Sequence, residues 1–125
     1  MKNLLRLEEL SLTLLAITLF RSLNIAWWWF ALFFLAPDLS MLGYLAGPRV
    51  GAIAYNAVHH KAVAIAAYIV GVLSGSPVLQ FAGLIILAHS SFDRVLGYGL
   101  KYPDAFQHTH LGMIGRTAAI EPVDP

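Results

Sequence analysis

Two titratable side chains, His89 and Asp93, lie four residues apart at the end of a long apolar run, "PVLQFAGLIILAHSSFDRVLGYG". On a helix this spacing puts both side chains on one face. Imidazole and carboxylate groups together can bind zinc, iron or manganese, or can pass a proton between them. The pair is therefore the first candidate for a metal or proton-transfer site.

Further polar residues interrupt two other apolar segments, namely Asp38, Asn56, His59, His60 and Lys61. At about 1.5 Å per helical residue, Asp38, His59 and His89 each lie roughly 15 to 18 Å from an end of their segment. Helix bundles commonly build metal sites from facing side chains at one level. We expect His59, His89 and Asp93 to hold a divalent metal, with Asp38 or His110 as the catalytic group that moves protons.

The composition indicates an integral membrane protein. Of 125 residues, 58% are hydrophobic and only 12% are charged, whereas a soluble domain carries about 25% charged residues. The net charge of +1 and the lack of a Lys/Arg run argue against nucleic acid as a partner. The absence of cysteine excludes disulfides and thiolate zinc sites.

Four segments approach the roughly 20 apolar residues that a spanning helix needs. They cover residues 7–23, 27–46, 50–73 and 77–99. The fold class predicted is all-α, a membrane-spanning bundle of about four helices, with the second helix kinked or broken at Pro37. Residues 1–100 form one transmembrane domain in this interpretation, and residues 101–125 form a polar cytoplasmic tail.

The distribution of Lys and Arg predicts that both termini are cytoplasmic. With four spans, one side collects Lys2, Arg6, Arg49, Arg94, Lys101 and Arg116, and the other side has Arg21 alone. A re-entrant break at Pro37 would alter this count. The lipid bilayer is the expected partner, and four short helices also suit a homo-oligomer or a larger membrane complex.

Two sequence blocks, "APDLSMLGYLAGPRVGAIAYNAVHH" and "LAHSSFDRVLGYGLKY", resemble a family of small bacterial membrane proteins of unknown function, the domain-of-unknown-function 4260 type. The resemblance implies a four-helix protein of the bacterial inner membrane and supplies no activity. Its motif positions match Asp38, Arg49, Asn56, His59, His89, Asp93, Arg94 and His110. "HSSFD" is also similar to the H-x-x-x-D half of membrane-bound metal-dependent hydrolases, although their upstream histidine elements are missing.

Three functions remain open at this point. The first is a metal-dependent membrane hydrolase or other metalloenzyme that acts on a lipid-like substrate. The second is a non-enzymatic subunit whose polar residues fix helix packing, and the third is a small transporter or proton-relay element. In the structural alternative Asp38 caps a half-helix, Lys61 pairs with Asp38 or Asp93, and Arg94 and Lys101 meet lipid headgroups.

Overall fold

The computed structural model describes residues 1–104 and 107–114. This part of the chain is about three-quarters helical. It contains five α-helices: α1 Lys2–Phe20, α2 Trp27–Phe33, α3 Pro48–Val58, α4 Lys61–Ser74 and α5 Pro77–Leu96. Two 3₁₀-helices, Arg21–Leu23 and Ala36–Ala46, follow α1 and α2. The all-α class is confirmed, whereas a bundle of four membrane spans is not.

Helix α5 is the centre of the bundle and packs against both α1 and α4. Its close approach to α4 depends on Gly83, where an added Cβ would lie 2.6 Å from the carbonyl oxygen of Ala64. Ser76 caps the N-terminus of α5 by accepting a hydrogen bond from the amide of Leu79, and Pro77 takes the first helical position. At the other end Gly97 adopts φ +95°, which terminates the helix in the left-handed region.

The break expected at Pro37 lies at the junction of α2 and the 3₁₀-helix Ala36–Ala46. Because proline has no amide hydrogen, Pro37 can donate neither the α-type hydrogen bond to the carbonyl of Phe33 nor the 3₁₀-type hydrogen bond to the carbonyl of Phe34. The 3₁₀-helix then packs against α3. Pro37 therefore turns one predicted helix into two pieces.

The third apolar segment differs from its prediction as a single helix. It forms α3 and α4, which meet at a 45° bend around His59 and His60. The side chain of His60 caps α4 by accepting a hydrogen bond from the amide of Ala62. No glycine or proline stands at this bend, so the sequence carries no standard signal for it.

By length and composition, the helical stretch Trp27–Ala46 is able to cross a membrane, and the bent pair α3 and α4 would count as a second span if it acts as one. The exterior is markedly apolar: Trp27, Leu45, Leu73 and Val78 are each at least three-quarters exposed. In the described residues, nine hydrophobic and eight polar side chains are buried. Polar groups thus occupy much of the interior, while large apolar side chains cover the outside.

Residues that follow α5 fold back onto the bundle. Strands β1 His108–Thr109 and β2 Gly112–Met113 form an antiparallel hairpin, and Lys101 bridges to Thr109. The side-chain amide of Asn56 accepts a hydrogen bond from the backbone amide of Lys101 at 2.6 Å and donates one to its carbonyl at 2.7 Å. Through these two hydrogen bonds Asn56 holds Lys101, at the start of the predicted tail, against α3. Residues 105, 106 and 115–125, including Arg116, lie outside the described residues.

Candidate metal centre

Four side chains from three parts of the chain converge in the interior. Asp38 comes from the 3₁₀-helix Ala36–Ala46, His59 from the end of α3, and His89 and Asp93 from α5. One nitrogen or oxygen atom of each residue lies within 4.8 Å of the corresponding atom of the other three. We call these four residues the His/Asp cluster.

His89 is oriented by a carbonyl that the Pro37 break leaves available. Its Nδ1 donates a hydrogen bond to the carbonyl oxygen of Phe34 at 2.6 Å. In a continuing 3₁₀-helix that carbonyl would accept from residue 37, but proline has no hydrogen to give. The same residue that breaks the helix therefore creates the acceptor that turns Nε2 of His89 toward the cluster.

His59 is oriented by the last turn of α3. Its Nδ1 donates to the carbonyl oxygen of Tyr55 at 2.8 Å, and its ring stacks on the Tyr55 ring with centroids 3.7 Å apart. The backbone carbonyl of His59 accepts a hydrogen bond from the Arg94 guanidinium at 3.3 Å. Because Arg94 occupies this acceptor, the bend after α3 is stabilised by a contact with α5.

These contacts determine what the two histidines offer to the cluster. A carbonyl oxygen can only accept a hydrogen bond, so Nδ1 of each ring must carry a proton. In the neutral ring Nε2 then has a lone pair and no hydrogen. Two nitrogen lone pairs and two carboxylate oxygens therefore face one another, an arrangement that requires a cation or added protons between them.

The four nitrogen–oxygen distances in the cluster are close to the ligand–ligand spacing around a small tetrahedral ion. Nε2 of His59 lies 3.2 Å from Oδ1 of Asp38 and 3.6 Å from Oδ2 of Asp93. Nε2 of His89 lies 3.0 Å and 3.4 Å from the same two oxygens. Zinc bonds to such donors at about 2.0 to 2.2 Å, which places tetrahedral ligands about 3.4 Å apart. The four nitrogen–oxygen separations lie on either side of that value.

The cluster is closed on the histidine side and open at Asp38. The side chains of His59 and His89 are 0% and 2% exposed, and that of Asp93 is 13% exposed, whereas Asp38 is 34% exposed. The Tyr55 hydroxyl lies 3.4 Å from Oδ2 of Asp93 and donates to it. Solvent can therefore reach the cluster most directly beside Asp38.

Several polar residues singled out in the sequence lie elsewhere. Lys61 pairs with Glu9 of α1 rather than with Asp38 or Asp93. Arg94 and Lys101 are 8% and 5% exposed, so both are largely enclosed by the protein, and contact of either with lipid headgroups stays a prediction. Asp38 makes no capping hydrogen bond to its helix. His108 pairs with Asp104 in the hairpin region.

His110 is outside the His/Asp cluster, and its catalytic role stays a prediction. Its Nδ1 accepts a hydrogen bond from the backbone amide of Leu100 at 2.8 Å. Burial and the nearby Arg94 charge lower the pKa of His110, and burial lowers the pKa of Lys101. His110 is therefore mainly neutral at pH 7.

Three supporting groups lie outside the predicted site residues: the Phe34 carbonyl, Tyr55 and Glu9. Tyr55 had one available signal, because it lies four residues before His59 and so on the same helical face. Its ring is also contacted by the Lys101 ammonium, 4.8 Å from the centroid. The Phe34 carbonyl and Glu9 become partners through tertiary packing, which no local spacing reveals.

Fold and cluster together define an all-α protein with an interior group of two imidazoles and two carboxylates suited to a divalent metal. The chain belongs to the family described as domain of unknown function DUF4260, which matches residues 2–114. No curated protein matches the chain. No solved structure matches it either.

Proposed function

We propose that this chain is an integral membrane metalloprotein in which the His/Asp cluster binds a divalent metal and catalyses a hydrolytic reaction on a lipid-like substrate. One observation carries the metal assignment. Both histidines donate Nδ1–H to backbone carbonyls, so their Nε2 lone pairs face two carboxylate oxygens at 3.0 to 3.6 Å. Such carbonyl-anchored histidines are typical of metal ligands.

The exterior supports the membrane part of the proposal. Large apolar side chains are exposed along α1, α2, α4 and the 3₁₀-helix Ala36–Ala46. Soluble monomers rarely expose continuous apolar patches of such extent, whereas lipid solvates them. The buried polar side chains lie where a membrane protein keeps them, away from the lipid. A location in the inner membrane with cytoplasmic termini follows from the charge distribution and belongs to the same proposal.

The difference in exposure suggests separate roles for the two carboxylates. His59, His89 and Asp93 are the three most buried members and would hold the metal. Asp38 is the most exposed, so in this proposal its carboxylate leaves the fourth position to a water molecule and would act as the general base toward that water. A metal with three protein ligands and one exchangeable position is the arrangement found in catalytic zinc sites.

The test is the metal content of the detergent-purified protein, measured by inductively coupled plasma mass spectrometry. We expect near-stoichiometric zinc, iron or manganese in the wild type and its loss in His89→Ala. His108→Ala is the matched control, because this histidine lies in the hairpin and pairs with Asp104. A folded wild type without metal after supplementation, or equal loss in both variants, would contradict the metal assignment.

A proton relay is the second candidate, and it is favoured by the same four distances. If both rings were protonated, each Nε2–H could donate to a carboxylate, which gives two imidazolium–carboxylate pairs with no net charge. The rings of His59 and His89 also lie edge to face, 4.9 Å between centroids. Metal-free protein whose histidines titrate together, followed by nuclear magnetic resonance, would favour this function over the metalloenzyme.

A further inference from the structure

A cleft of about 660 Å³ lies beside the His/Asp cluster, at the end of the bundle where α1 begins and α5 ends. Its lining combines apolar side chains, among them Leu5 and Leu111, with basic and imidazole groups. The latter come from four elements or loops: Lys2, Arg6, His60, Lys61, Arg94 and His110. Glu9 is the single carboxylate in this lining, and it is paired with Lys61.

The positive charge of the cleft is largely uncompensated. In the described part of the chain, neither Lys2 nor Arg6 forms a hydrogen bond or an ion pair. Arg94 uses two of its donors on the carbonyls of Tyr98 and His59, and a guanidinium has five. Three cationic side chains thus retain free donors around one cavity.

The two imidazoles add donors rather than acceptors. Nδ1 of His60 accepts from the amide of Ala62 at 3.1 Å, and Nδ1 of His110 accepts from the amide of Leu100 at 2.8 Å. Each neutral ring must therefore carry its proton on Nε2. A ligand of this cleft meets N–H groups from imidazole, guanidinium and ammonium, which is a donor set for an anion.

We propose that this cleft binds the phosphate headgroup of an anionic lipid, with the acyl chains lying along the apolar surface of α1. Phosphate offers several strong acceptor oxygens to such donors, and basic pockets at the cytoplasmic side of membrane helices bind anionic headgroups. Next to Lys2 and Arg6, α1 exposes more than half of Leu4, Leu5 and Leu7. The basic side chains can therefore contact the lipid phosphate while these leucines contact its acyl chains.

The cleft and the His/Asp cluster share Arg94, whose guanidinium contacts the carbonyl of His59 and whose neighbour in the chain is Asp93. That this lipid is the substrate rests on the proposed function, whereas headgroup binding itself needs no metal.

The experiment measures binding of dioctanoyl phosphatidic acid and dioctanoyl phosphatidylcholine to the full-length protein in neutral detergent. We expect the wild type to prefer phosphatidic acid by at least about tenfold, since each basic residue near the headgroup contributes about 1 kcal/mol. The double variant Lys2→Gln/Arg6→Gln should weaken that binding by about tenfold to thirtyfold. These two residues are exposed, so folding should be unaffected.

Two matched variants test whether the effect belongs to the cleft. Arg21→Gln/Arg49→Gln removes the same charge from exposed positions outside it, and Lys2→Arg/Arg6→Lys keeps the charge within it. Both should bind phosphatidic acid like the wild type. Equal weakening in Arg21→Gln/Arg49→Gln, or no lipid preference in the wild type, would overturn the proposal.

Two further arms separate the alternatives. Glycerol 3-phosphate binding as tightly as phosphatidic acid would identify a soluble phosphate ligand and overturn the lipid assignment. Phosphatidic acid binding that persists in His89→Ala would support the headgroup site even if the metal centre fails. Metal-loaded wild type without lipid preference would overturn the headgroup site alone.

Discussion

The His/Asp cluster and the basic cleft each use two histidines, and they use them in opposite ways. In the cluster, Nδ1 of His59 and His89 donates to carbonyl oxygens, so Nε2 is an electron-pair donor. In the cleft, Nδ1 of His60 and His110 accepts from backbone amides, so Nε2 carries a proton. The backbone group that faces Nδ1 thus decides whether a ring suits a cation or an anion.

His59 and His60 make the comparison sharpest, because they are adjacent in the chain. His59 ends α3 and is fully buried in the cluster, whereas His60 begins α4 and is exposed at the cleft. The 45° bend between the helices separates them. Residue type alone therefore does not predict the role of a histidine, since the local path of the backbone fixes it.

The largest expected effect comes from removing a charged member of the cluster. Asp93→Asn keeps the shape but loses the negative charge beside both Nε2 atoms, so we expect metal affinity to fall by at least about 100-fold. Asp104→Asn, in the exposed hairpin region, should have no effect. The check is competition with a chromophoric chelator. Equal affinity of Asp93→Asn and wild type would remove this residue from the metal site.

Arg94→Lys should separate the two regions at the residue that they share. Lysine keeps the positive charge of the cleft but cannot reproduce the planar guanidinium contacts to the carbonyls of His59 and Tyr98. We expect metal affinity to fall by about tenfold, because the support of a ligand is lost, while the phosphatidic acid preference persists. Chelator competition and lipid titration on one preparation measure both; unchanged metal affinity would contradict the coupling.

Tyr55→Phe tests a weaker support of the cluster. The change removes the hydroxyl that lies 3.4 Å from Oδ2 of Asp93 but keeps the ring that stacks on His59. A hydrogen bond of this length is weak, so metal affinity should fall by less than about tenfold. Tyr68→Phe, a tyrosine outside the cluster, is the control. A loss as large as that of Asp93→Asn would assign Tyr55 a direct role as a ligand.

The smallest expected effect is a pH dependence confined to the cleft side. The pKa of His110 is lowered in the folded protein. As the pH falls below about 6.5, the unfolded chain therefore binds more protons than the folded protein. The contribution of neutral His110 to the free energy of unfolding is therefore fully present above that pH, and it is lost as the pH falls toward the pKa of His110 in the folded protein. Protonation of Nδ1 also breaks the hydrogen bond from Leu100, at a cost of about 1 kcal/mol.

Hydrogen exchange at the Leu100 amide, followed from pH 8 to pH 5, measures this effect. Protection of the amide should decrease in the wild type after correction for intrinsic exchange, and the decrease should vanish in His110→Gln. A wild-type profile that is flat over this range would show that the hairpin contact does not titrate there.

The sequence predicted the elements whose signals are local. Pro77, the apolar run and Gly97 delimit α5 as expected, and the four-residue spacing puts His89 and Asp93 together. The break at Pro37 was also predictable, since proline removes a backbone donor. By contrast, the bend at His59 is stabilised by Arg94, which donates to a carbonyl 35 residues away in the chain. The hydrophobic pattern continues through the bend and therefore does not predict this contact.

The composition of the cluster was therefore easier to predict than its geometry. Asp38, His59, His89 and Asp93 were all selected because polar side chains are rare in these apolar segments. Which ring nitrogen faces inward was not predictable, because it depends on the carbonyls of Phe34 and Tyr55. The cleft was not predicted either, since Lys2 and Arg6 entered the sequence analysis only through the count of Lys and Arg on each side of the membrane.

The order of the cluster residues along the chain has a consequence for biosynthesis. Asp38 and His59 leave the ribosome well before His89 and Asp93, and the proposed metal site takes two of its three ligands from this later part of the chain. An unfinished chain that ends before α5 offers one carboxylate and one imidazole, which bind metal weakly. If the proposed metal site forms, metal binding would therefore follow the synthesis and docking of the last helix, α5, rather than guide the folding of the earlier helices.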